Sequence, residues 1–169
     1  MAVFRTIVVA IDFSETSDDA LRVGCELAES HGSELHLLHV IPDARQRAWS
    51  VEAPQLDFAA LQQENMEEAE RMLAARTVPV TGLLPRVVRR VVAGLPAARE
   101  IAQYAASHGA DVIVVGTHGY GPVRRLVLGS VADHVIRLAP CPVLTVPHHM
   151  LRGSRPIWTR AQEEEMTTV

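Results

Sequence analysis

The segment richest in chemistry runs from Asp111 to Ile136, DVIVVGTHGYGPVRRLVLGSVADHVI. An apolar run ends at Gly116, two residues lead to Gly119, nine more lead to Gly129, and Ser130 follows where helical spacing begins. Glycines let backbone N–H groups approach a ligand's oxygens, because no Cβ stands between them. A helix opening at Ser130 adds a hydroxyl, first-turn amides and a partial positive charge, all suited to phosphate. Arg124 and Arg125 lie in the same loop, and either could meet a phosphate bidentately. His118 could touch a phosphate or relay a proton. The spacing is not G-x-G-x-x-G, and an ordinary glycine-punctuated surface loop stands as the other reading.

A second candidate is Asp12, which directly follows the apolar run Phe4 to Ile11, FRTIVVAI. Its carboxylate could accept hydrogen bonds from ribose hydroxyls or an adenine amino group, or it could cap the helix that follows. The two candidates belong together if the chain forms an open α/β sheet. Ligands there sit beyond the carboxyl ends of the strands where the strand order reverses, so the loop after the first strand should face the loop after the fourth.

The elements needed for that arrangement are legible. Phe4 to Ile11 is nearly continuous in its apolarity, as expected of a strand buried on both faces. From Ser14 the spacing becomes helical, with Ala20, Leu21, Gly24 and Leu27 or Ala28 on one side, Ser14 or Ser17 as N-cap and Gly32 as the stop. Leu35 to Ile41 is a second strand, halted by Pro42. Asp57 to Arg76 is a helix, with Leu61 and Met72/Leu73 at helical spacing. Val87 to Ala93 reads as a third strand, and its central arginines predict a sheet edge. Ala98, Ile101, Ala102 and Ala105 face one side of a helix that ends at Gly109. Asp111 to Val115 is the fourth strand. A helix from Ser130 to Leu138 should turn Val131, Val135 and Ile136 inward, and Cys141 to Val146 makes a fifth strand. The alternation predicts a single α/β domain, a doubly wound five-stranded parallel sheet with helices on both faces.

Composition removes several classes. The chain has 169 residues, about one domain's worth. All 16 of its basic residues are arginine, which excludes a Walker-type lysine and Schiff-base chemistry. The net charge of −4 argues against a dedicated nucleic-acid binder. Cys25 and Cys141 form no C-x-x-C pair. No apolar stretch reaches membrane-spanning length and the first residues lack a signal-peptide pattern, so a cytoplasmic protein that does not engage a membrane is expected.

The segments VVAIDFSETSDDAL, LHLLHVI and VGTHGYGPVRRLVLGSVADHVIRLAPCPVLTVP resemble the universal stress protein family over about Phe4 to Pro147. The Gly116-x-x-Gly119, nine-residue, Gly129-Ser130 pattern is similar to that of the family's ATP-binding branch. The resemblance implies an adenine-nucleotide alpha hydrolase-like fold over 1–147, with 148–169 as an extension. It implies that Ala10, Ile11 and Asp12 line the adenosine side, with Val40 offering backbone hydrogen bonds to adenine. It also implies that Gly116, Thr117, His118, Gly119, Gly129, Ser130 and Val131 hold ribose and triphosphate and that Mg2+ bridges phosphates; the chain departs from the simplest members in its extension and in having no lysine in the phosphate loop, where Arg124 or Arg125 could compensate. Members are typically homodimers joined through the last strand, here Pro142 to Val146. The expected function is an ATP-binding, nucleotide-dependent stress-response regulator acting on an unknown protein partner, with slow or no hydrolysis. Cyclic AMP is the alternative ligand.

Competing chemistry finds less support. The S-G-G-x-D-S and H-I-G-H signatures of adenylyl-transferring relatives are absent, as is a G-x-S-x-G elbow, which disfavours an enzyme of that group or a dedicated hydrolase. His36 and His39 should point to opposite faces of their strand and so cannot share a metal ion. No catalytic or metal-ligating set is assigned. Cys141 reads as a small buried hydrophobe, and the glutamate runs at 67–70 and 163–165 as solvated surface.

Overall fold

The computed structural model describes residues 4–44, 57–78, 86–117 and 129–147. The apolar runs become five strands: β1 (Thr6–Ala10), β2 (Glu34–Ile41), β3 (Val87–Ala93), β4 (Val112–Gly116) and β5 (Val143–Val146). The helices described between them are α1 (Glu15–His31), α2 (Phe58–Ala74), α3 (Ala97–Ser107) and α4 (Ser130–Leu138). All strand pairs are parallel, and the order is β3-β2-β1-β4-β5. β3 is therefore an edge, as its arginines predicted.

Side chains alternate along each strand, so the sheet carries two cores. Ile7, Val9, Leu35, Leu37, Val112 and Val114 pack against Leu21, Cys25 and Ala28 of α1 and Leu73 of α2. Val8, Leu38, Ile113 and Val115 pack against Ala98, Ile101 and Ala105 of α3 and Ala132 and Val135 of α4. Gly24 lets α1 lie close on β1, since a Cβ there would stand 2.5 Å from Val9 Cγ2. α1 is closed at both ends: Ser14 Oγ accepts from Ser17 N, and Gly32 ends the helix at φ 64°.

Two amphipathic faces are narrower than periodicity predicted. In α4 only Ala132 and Val135 are buried, while Val131 and Ile136 are exposed. The helix packs mainly against α3 and only lightly on β5, so the flanks of its apolar stripe stay uncovered. In α2 only Ala69 and Leu73 are buried, with Leu61 and Met72 exposed, because this helix covers the opposite edge. β5 begins at Val143 rather than Cys141, although the Pro142 carbonyl still accepts from Ile113 N at 3.0 Å. Cys141 is half-buried.

At the amino ends of the strands, His36 is buried beneath α3. Its Nδ1 lies 2.9 Å from the Tyr104 hydroxyl and its Nε2 3.3 Å from Glu34 Oε1, with the His108 ring beside it. Burial pushes the His36 pKa down, and Glu34 opposes the shift only in part. The folded state thus binds fewer protons than the unfolded chain below the ordinary histidine value of about 6.5. Stability is full above that value and falls as pH drops through it toward the lowered folded pKa. Urea titrations between about pH 7.5 and 5 should show this loss, and His36→Gln should flatten the slope by up to about one proton. An unchanged slope would assign the acid sensitivity elsewhere.

Candidate functional site

The strand order reverses at β1, which pairs with β2 on one side and β4 on the other. The carboxyl ends of β1 and β4 therefore open onto one crevice, where an α/β sheet of this type takes its ligands. The Ile11 N–H makes the last backbone-to-backbone bond of this segment to β2 among the described residues, donating to the Leu38 carbonyl at 2.8 Å. Beyond it β1 turns away. Backbone groups alternate sides along a strand, and Ile41 O bonds toward β3 through Gly94 N. The groups of Val40 hence point to the side that β1 has vacated.

Asp12 is exposed at this point. Its Oδ1 accepts from Ser14 N at 2.9 Å and from Ser14 Oγ, while Oδ2 has no partner among the described residues. Asp12 is not the N-cap of α1; that position belongs to Ser14. The carboxylate braces the capping residue with one oxygen and presents the other. Between them Phe13 adopts φ 64°, a left-handed conformation that costs a bulky residue roughly 1–3 kcal/mol. No sequence signal marked it, because a strained backbone depends on contacts from distant residues.

β4 ends at Gly116, which is a close-approach glycine. A Cβ there would lie 2.7 Å from the Thr16 carbonyl oxygen and 2.9 Å from its carbon. The glycine thus lets the start of α1 press against the end of β4, bringing the two halves of the crevice together. Thr117 is buried, its N–H donating to the Val146 carbonyl at 3.0 Å and its carbonyl accepting from Gly129 N. That contact returns the chain to the sheet after the loop. Gly129 is the N-cap of α4 and, having no side chain, makes no capping hydrogen bond. Ser130 and Val131 are exposed on the first turn, so its amides and hydroxyl face outward from a positive helix end.

The structure places Ala10, Ile11 and Asp12 at the carboxyl end of β1, Gly116 and Thr117 at that of β4, Val40 near that of β2, and Gly129, Ser130 and Val131 at the start of α4, with Gly129 N bonded back to the Thr117 carbonyl. His118, Gly119, Arg124 and Arg125 lie outside the described residues. His36 and His39 face opposite sides of β2, as expected, and no cluster of metal-ligating side chains occurs among the described residues. His39 instead joins the crevice wall, its Nδ1 2.7 Å from the Ile11 carbonyl and its ring 4.4 Å from that of Phe13. The thiols are poorly suited to redox chemistry. Burial pushes Cys25 up to about 12, aided by Glu29 and Glu26, and burial likewise raises Cys141. No helix among the described residues is long and apolar enough to cross a membrane.

Fold and crevice together define an open, all-parallel α/β domain whose candidate site lies at the strand-order switch point. Comparison with known proteins makes the assignment narrower. The sequence profile of the universal stress protein family matches residues 4–147, and the chain belongs to that family. A universal stress protein of Thermus aquaticus is 36% identical over 146 residues, covering 85% of this chain and 98% of its own length. Universal stress protein Rv2005c of Mycobacterium tuberculosis is 39% identical over 143 residues; the match covers 82% of this chain but only 44% of that longer protein. Among solved structures, the protein MJ0577 is 28% identical with a TM-score of 0.66, covering 86% of this chain and 96% of its own. Universal stress protein UspA of Lactobacillus plantarum is 25% identical with a TM-score of 0.59, covering 84% and 97%.

The packing at Gly116 has a measurable consequence. Gly116→Ala forces a methyl group against backbone atoms that cannot rotate away, so the variant should lose about 1–3 kcal/mol in urea denaturation. A stability equal to the parent's would mean that α1 and β4 are not in close contact.

Proposed function

We propose that the chain binds ATP in this crevice and acts as a nucleotide-dependent regulator of a stress response, with slow or no hydrolysis. The observation that carries the reading is the meeting of two opposite chemistries at one switch point. An outward carboxylate oxygen on Asp12 suits the hydroxyls and amino group of adenosine, and Val40 offers backbone groups to the base. Across the crevice, the start of α4 without a side-chain cap suits phosphate. Gly119 and Arg124, outside the described residues, complete the phosphate side in this reading, with His118 beside them.

The donors fit a nucleotide better than they fit a bare metal. Hydroxyls of Thr117 and Ser130 flank the phosphate end, but no carboxylate cluster does among the described residues. Mg2+ would consequently rest chiefly on phosphate oxygens and water, as this ion commonly does. Fold neighbours solved with cAMP and with dAMP, each 22% identical with a TM-score of 0.54, share the architecture. Cyclic AMP is therefore included in the binding experiment.

Regulation requires a partner that distinguishes occupied from empty protein, since a ligand with equal affinity for two states shifts neither. We further propose a cytoplasmic homodimer joined through Pro142 to Val146. β5 is a sheet edge with Leu144 exposed, and pairing with a second copy would satisfy its backbone and cover that side chain. Residues 148–169 form an extension beyond the domain in this reading.

Titration calorimetry with ATP·Mg2+, adenosine and cAMP tests the binding. Asp12→Ala should weaken ATP and adenosine alike, by about 10-fold for one lost charge-assisted hydrogen bond. Gly119→Ala should weaken ATP while sparing adenosine. Equal effects of both variants on both ligands would contradict the assignment of the two ends, and stronger binding of cAMP than ATP would replace the ligand. In sedimentation, Leu144→Arg should convert a dimer to monomer; a dimer that persists moves the interface elsewhere.

A further inference from the structure

Phe13 turns the chain from β1 into α1 in a left-handed conformation, and a residue far away in sequence holds it there. Arg76, just beyond the end of α2, donates from Nη2 to the Phe13 carbonyl at 3.2 Å and from Nη1 to Asp18 Oδ2 at 3.0 Å. Its guanidinium also lies over the Phe13 ring, 5.4 Å from the centroid. The backbone of Arg76 is fixed in turn, its carbonyl accepting from Arg89 Nη2 on β3 at 3.3 Å. On the other side of Asp12, His39 engages the Ile11 carbonyl. Asp12 thus sits between two residues whose carbonyls are each held by a side chain from another element.

We propose, building on the nucleotide reading above, that Arg76 is a positioning residue for the adenosine end of the site. It holds Phe13 in its left-handed form and thereby fixes the direction in which Asp12 presents Oδ2. The planar fork of arginine makes this possible, since it donates in two directions while its face covers an aromatic ring. A lysine has no such fork and cannot reproduce all three contacts. Arg76 also makes the end of α2 and strand β3 part of the support for the adenosine pocket, though neither element contributes a residue to it.

The experiment is calorimetry with adenosine and with ATP·Mg2+ on the full chain and its R76A, R76K, D18N, D12A and D12A/R76A variants. R76A should weaken both ligands by the same factor, about 10-fold, with R76K only partly restoring affinity. D18N, which removes one leg of the clamp at a half-exposed ion pair, should give a smaller equal loss and covers the case in which R76A folds poorly. In the D12A background, R76A should change affinity less than about 2-fold, because the two residues act through one interaction. Hydrogen exchange of ligand-free R76A should quicken at residues 12–17 while the β1 and β4 amides keep their protection. Unchanged affinity in R76A, a loss larger for ATP than for adenosine, additivity with D12A, or unchanged exchange at 12–17 would each overturn the proposal while leaving nucleotide binding intact. A parent protein that binds neither adenosine nor ATP would overturn the nucleotide reading itself, and this role for Arg76 with it.

Discussion

β1 hydrogen-bonds to β2 on one side and to β4 on the other, and nearly every functional feature of the molecule follows from that pairing. The chain builds outward from β1 through β2 to the edge strand β3, then returns to lay β4 against the free side of β1. α1 and α2 lie over one face and α3 and α4 over the other, as right-handed crossovers require of this strand order. The two directions of winding part between β1 and β4, so the carboxyl ends of these strands lie at the switch point. The turn after β1 and the end of β4 meet there. Gly116 sets the closeness of that meeting by admitting the Thr16 carbonyl where a Cβ would exclude it.

The strands, their order at the β3 edge and the switch point were legible because they rest on local patterns: continuous apolarity for buried strands, arginines for an edge, glycines and caps for helix ends. Ser14, Gly32 and Gly129 mark helix boundaries through backbone and capping chemistry that needs no distant partner. The width of a buried face was not legible. Val131, Ile136, Leu61 and Met72 have the right spacing for a core, yet α4 and α2 lie near the edges of the sheet, where too little surface exists to cover them. Periodicity reports which side of a helix is apolar, whereas burial depends on what stands opposite. The left-handed Phe13 was hidden for a related reason: its support comes from Arg76 and His39, remote in sequence.

The described residues divide into an enclosed and a more exposed part. Ala10, Ile11 and Gly116 belong to or adjoin central strands whose side chains are almost wholly enclosed, and fully buried cores do not deform continuously. The helix faces at the two sheet edges are more exposed. At β5 and α4 on one side and α2 on the other, Leu144, Val131, Ile136, Leu61 and Met72 stay exposed among the described residues, and under the proposed function a partner that senses occupancy would dock there.

The most direct measurement is chromatography and mass spectrometry of the small molecules released when the freshly purified protein is denatured. The switch-point account predicts an adenine nucleotide in amounts that approach the protein's own, retained through gel filtration. Release of no nucleotide, together with no heat on adding ATP·Mg2+ to the refilled cell, would contradict it. The glycine pattern would then be an element of packing alone.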